Sequence, residues 1–184
     1  KKREKINNQG LTLIELIVTI AIIGIFGVVV MSFVTSGANF YRQASDTSTV
    51  QRSMQMTLDQ IENLVIDTNK SISYSVGGQA TQSDLGSQDS QEKILILESV
   101  QGENTQHKEI LKWNPDEKKL YCNYNSDRAT DMKVMAENIS AFSADISQAV
   151  SDGIVRFQIT IQKRDKEMTQ TYTVTLRNQL GADS

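Results

Sequence analysis

The sequence is short of cysteine, proline and histidine. Its 184 residues include one Cys, one Pro and one His, at Cys122, Pro115 and His107. A single cysteine rules out any disulfide within the chain. It leaves either a thiol open to pairing between chains or, as expected here, a small apolar side chain inside a strand. One Cys and one His cannot supply the ligand spacing of a zinc centre, and no serine sits in a Gly-x-Ser-x-Gly elbow. With no proline before Pro115, nothing in the first half interrupts a helix. Charge is also missing where it counts: from Leu11 to Val34 the only ionisable side chain is Glu15.

That uncharged run is long enough to span a bilayer, since ~20 apolar residues rising ~1.5 Å each cross the ~30 Å hydrocarbon core. It follows a basic decapeptide, Lys1 to Gly10, in which Lys1, Lys2, Arg3 and Lys5 outweigh Glu4. The chain opens on Lys1, as expected of one that has lost its initiator methionine. The leader carries a net +3, which leaves −6 on the remainder of a chain whose total is −3. Basic flanks stay on the cytoplasmic side, which places the acidic remainder outside. The acidity also argues against a duplex-binding face, which needs clustered Lys and Arg, so no nucleic acid is expected as a direct partner. A carboxylate inside an apolar segment costs about 2.5–3.5 kcal/mol at the centre of a membrane helix, so Glu15 reads as a functional residue.

A basic leader, Gly10, then Leu11-Thr12-Leu13-Ile14-Glu15 opening an apolar helix resembles the type IV pilin signal, the class III signal peptide of pilins and pseudopilins. The resemblance runs from Lys1 to Val34. It implies cleavage between Gly10 and Leu11 by a prepilin peptidase and N-methylation of the new Leu11 amine. It also implies that Glu15 neutralises the Leu11 amine of a neighbouring subunit when helices pack into a filament. Many members have Phe after the cut where this chain has Leu11. An ordinary signal anchor has a similar basic-then-apolar opening, but its secretory h-region is 7–15 residues with a small-x-small site after it, and it would leave Glu15 without a reason.

Gly24 and Gly27, with Ala21 before them, are small residues of the kind that let helices approach closely in lipid, although glycine is common in membrane helices anyway. Major pilins often carry a proline midway along this segment; the matching position here is Ser32, which leans towards a minor pilin or pseudopilin. Beyond Val34 the residues Phe40, Ala44, Thr47, Gln51, Met54, Leu58, Ile61 and Val65 recur at steps of three and four, one face of an amphipathic helix. One helix from about Leu11 to about Asn69 is expected, its second half packing on the chain's own sheet. This divides the chain into a leader (1–10), a membrane and assembly helix (11–34), an amphipathic continuation (35–70) and a β-rich extracytoplasmic domain (71–184).

Ser71 to Val76 alternates like a strand. The stretch 77–91, rich in Gly, Ser, Gln and Asp, has Leu85 as its one sizeable apolar residue and reads as a mobile loop. Ile94 to Leu97 reads as a strand buried on both faces. Asn114-Pro115-Asp116-Glu117 is a turn joining His107–Trp113 to Lys118–Tyr124, with Leu120, Cys122 and Tyr124 on one face. Asp131 to Glu137 forms another short piece, and 138–146 is helix or strand by pattern, the resemblance favouring strand. The clearest signal is a terminal hairpin: Val155, Phe157, Ile159 and Ile161 alternate with polar residues, as do Met168, Tyr172, Val174 and Leu176 after a polar turn. This order of strands also looks like J-type minor pseudopilins and their competence counterparts.

The expected fold is therefore α+β and pilin-like, a long N-terminal helix on an antiparallel sheet. Asp116, Glu117, Asp127 and Asp131 read as solvated turn carboxylates, and the EF-hand pattern is absent. No catalytic residue, metal or cofactor is expected. The expected partners are other pilin or pseudopilin subunits, prepilin peptidase and the membrane. The rival from another class is a membrane-anchored, adhesin-like binding module that does not assemble.

Overall fold

A computed structural model describes residues 12–87, 90–101, 105–123 and 131–181. Two compact units divide between Ser45 and Asp46. The first contains most of the apolar half of helix α1, which spans Leu13–Val65 without a break. Its side chains from Leu13 to Ser45 are exposed, and it is long and apolar enough to cross a membrane. The helix stops four residues earlier than expected, because Asp67 to Lys70 turn into the first strand.

The second unit gathers a single apolar core. From the helix it takes Val50, Met54, Leu58, Ile61, Leu64 and Val65. The expected stripe is thus buried only from Met54 on; Phe40, Ala44, Thr47 and Gln51 keep the spacing but remain exposed. Periodicity reports a face, and only tertiary packing decides how far along it a partner reaches.

Strands β1 (Ser71–Val76), β2 (Gln79–Thr81), β3 (Lys93–Gln101), β4 (Thr105–Asn114), β5 (Lys119–Asn123) and β6 (Lys133–Glu137) form an antiparallel sheet in the order β2-β1-β3-β4-β5-β6. A second antiparallel sheet comprises β7 (Ile139–Asp145), β8 (Ile154–Lys163) and β9 (Lys166–Thr175) in sequence order. Among the described residues the expected single sheet is therefore two. The join is at Ile139: its N–H donates to the Lys118 carbonyl, its carbonyl accepts from the Trp113 indole at 3.0 Å, and Asn138 before it has a φ of 64°. The 138–146 segment is a strand, as the resemblance favoured.

Two further readings change. Ile94 and Ile96 are only half-buried, whereas Lys93, Leu95 and Leu97 face the core, so β3 is buried mainly on one face. An apolar residue at every position hides that alternation in the sequence. The 77–91 stretch is partly built as well. Gly77 and Gly78, with φ of 55° and 81°, turn β1 into β2, and a Cβ on Gly77 would lie 1.8 Å from the Gln91 side chain. Beyond β2, Ser83 bridges Asp145, Asp84 N–H donates to the Ala144 carbonyl and Ile146 N–H donates to that of Gln82. Residues 82–84 thus line the free edge of β7.

Polar ties hold helix to sheet within this unit. Tyr172 on β9 donates to the Glu62 carboxylate, and Asp46 meets Lys163 and Arg164 at the β8–β9 tip at 3.8 and 2.9 Å. Arg177 N–H donates to the Ile66 carbonyl while its guanidinium lies 2.7 Å from Asp67.

Candidate functional site

The candidate site at the start of the chain is built by local sequence. Thr12 stands just before the helix and Glu15 three residues on, the spacing of a capping box. The Thr12 N–H and hydroxyl donate to Glu15 Oε2 at 3.0 and 2.9 Å, and the Glu15 N–H returns a bond to the Thr12 hydroxyl at 3.4 Å. The carboxylate also lies in the first turn, where the helix dipole favours negative charge. Within one chain Glu15 therefore has a partner and a local role. The Thr-x-x-Glu pattern that signals it stands in the sequence, beside the role expected from the resemblance. Gly10 and Leu11, the expected cleavage and methylation residues, lie outside the described residues, as does the leader.

Downstream the helix surface is apolar and open. Leu13, Ile17, Ile20, Phe26, Met31 and Phe33 are all more than half exposed. A Cβ added to Gly24, Gly27 or Gly37 would touch nothing within 4 Å, so the chain itself leaves the space beside these positions unoccupied.

Residues 5–34 match the family model described as the prokaryotic N-terminal methylation motif. No curated protein and no solved structure matches the chain. The N-terminal stretch thus carries a type IV pilin-like prepilin signal on an apolar, membrane-capable helix, in a chain of α+β class with antiparallel sheets. Such signals belong to filament subunits that are processed by prepilin peptidase and assemble with one another, a structural class of protein.

The domain holds a second built cluster that sequence reasoning did not single out. Lys93 is 1% exposed and stands on the core face of β3. Its Nζ lies 2.5 Å from Asp84 Oδ2, 3.5 Å from Ser143 Oγ on β7 and 5.4 Å from the centre of the Trp113 ring on β4. Asp84 Oδ1 accepts from the Tyr74 hydroxyl at 2.8 Å and from the Ala144 N–H at 2.9 Å. Burial first, and the Asp84 carboxylate second, push the Tyr74 phenol far above its ordinary range, so it remains a proton donor. The available signal was parity: Lys93 shares its face with Leu95 and Leu97. Asp84 gave none, because its partners are 9 to 60 residues away.

The other expected positions fall as follows. Cys122 is buried in β5. His107 is half-buried in β4, Asp116 and Glu117 are exposed in the turn before β5, and Asp131 is exposed. Asp127 lies outside the described residues.

Proposed function

We propose that this chain is a minor pilin or pseudopilin, a structural subunit of a type IV pilus-like filament. Prepilin peptidase removes residues 1–10 at the Gly10–Leu11 bond, the Leu11 amine is methylated, and the body from residue 71 on lies outside the cytoplasmic membrane. In the filament Glu15 exchanges its capping bonds for the Leu11 ammonium of a neighbouring subunit. A buried carboxylate facing a buried ammonium is costly to unpair, about 3–5 kcal/mol when one partner is removed, so the pair sets the axial register between subunits.

The observation that carries this reading is the methylation motif over residues 5–34, set on a helix that runs unbroken into the folded domain. The exposed apolar face and the open space beside Gly24 and Gly27 suit close packing of sister helices once they leave lipid. The deciding measurement is mass spectrometry of the mature amino terminus, together with co-sedimentation of the protein with sheared surface fibres. N-methyl-Leu at position 11 in fibre fractions is expected. An intact Lys1–Gly10 leader on protein that stays with the membrane would instead establish the singly displayed, adhesin-like module.

A further inference from the structure

Lys93 and Asp84 are arranged for more than an ion pair. Ammonium–carboxylate hydrogen bonds usually span about 2.7–2.9 Å. Here Nζ approaches Oδ2 to 2.5 Å, yet Oδ2 has no properly formed hydrogen bond. The amine and the carboxyl group are thus in direct contact. The other oxygen, Oδ1, is held by two donors on separate strands, the Tyr74 hydroxyl and the Ala144 N–H. Tyr74, Trp113, Ser143 and Ala144 are themselves buried, which keeps water away.

We propose that Lys93 and Asp84 condense into an intramolecular isopeptide bond. Proton transfer from the ammonium to Oδ2 gives a neutral, nucleophilic amine and a carboxylic acid. The Nζ lone pair attacks Cγ. The charge that develops on Oδ1 meets the Tyr74 hydroxyl and the Ala144 N–H, two donors placed as in an oxyanion hole. The second amine proton passes to Oδ2, directly or by way of the Ser143 hydroxyl, and Oδ2 leaves as water. One C–N bond forms, one C–O bond breaks and one water is released; no oxidant or cofactor enters. Holding amine and carboxyl in contact removes most of the entropic barrier to joining them.

The bond would close the 84–93 segment into a ring and tie covalently to β3 the segment that hydrogen-bonds along the edge of β7. Asp84 belongs to the segment lining β7, whereas Lys93 belongs to β3. Its existence does not depend on the filament reading.

Peptide mapping of the full-length, denatured protein tests this. Trypsin does not cut after an amidated lysine, so the wild type is expected to yield peptide 71–108 lighter by one water, with no fragment ions between positions 84 and 93. Lys93→Arg should restore cleavage at 93 and the full mass. Release of peptide 71–93 from the wild type at its unmodified mass would overturn the proposal. So would loss of water with cleavage after Lys93 retained, since that marks a succinimide at Asp84. The wild-type map decides even if the variant fails to fold.

Discussion

Glu15 and Thr12 hydrogen-bond reciprocally at the start of the helix, so a substitution at Glu15 carries two separable effects. Glu15→Gln keeps an acceptor for the capping box and removes the charge; Glu15→Ala removes both. If the Leu11 ammonium is the partner in the filament, both variants should insert and be cleaved normally yet fall in sheared fibre fractions by on the order of a hundredfold or more, the scale of an unpaired buried charge. Wild-type incorporation of Glu15→Gln would confine Glu15 to capping. A second residue-scale prediction concerns acid. The Ser147 hydroxyl foremost, with the Ser147 N–H and Arg156, holds the Asp145 carboxyl below its ordinary range. Because the folded pKa is the lower one, this contribution is complete above the ordinary carboxylate range and is lost as pH falls through the folded value. Thermal unfolding followed from neutral pH into acid should show wild type losing more stability than Asp145→Asn.

At the scale of elements, helix α1 does two jobs with one period. From Leu13 to Ser45 its apolar side chains are exposed, whereas Val50 to Val65 enters the core. Ile61 is fully buried and Phe40 is 76% exposed on the same stripe. Ile61→Ala should therefore lower the stability of the folded domain by about 2–5 kcal/mol, while Phe40→Ala should leave it within about 0.5 kcal/mol. Denaturant midpoints of the two variants measure the difference. The strands follow a similar logic. The β8–β9 hairpin was plain from alternating residues, because one of its faces is polar. In β3 the alternation was hidden by Ile94 and Ile96, and with it the fact that Lys93 faces inward.

For the whole molecule, the chain divides between Ser45 and Asp46 into two compact units. The first unit exposes its apolar helix side chains; the second buries its own core and binds the β8–β9 tip to Asp46. Residues 46–184 alone should be soluble without detergent and unfold in one cooperative transition with a midpoint near that of the full-length domain. Calorimetry or circular dichroism checks this; aggregation, or loss of the 46–65 helix, would show that the membrane half is needed to fold it.

The sequence alone determined the features that rest on local chemistry. The methylation motif, the unbroken helix, the Asn114–Glu117 turn and the terminal hairpin are each fixed by residues within a few positions of one another. Tertiary structure decided what depends on distant partners: that the helix stripe is buried only from Met54, that the strands split into two sheets at Ile139, and that Asp84 is drawn from a polar stretch into the core against Lys93 and Tyr74. Periodicity records which side of an element is apolar. What that side meets, and where a lone charge finds its counterpart, is set only when separate strands pack together.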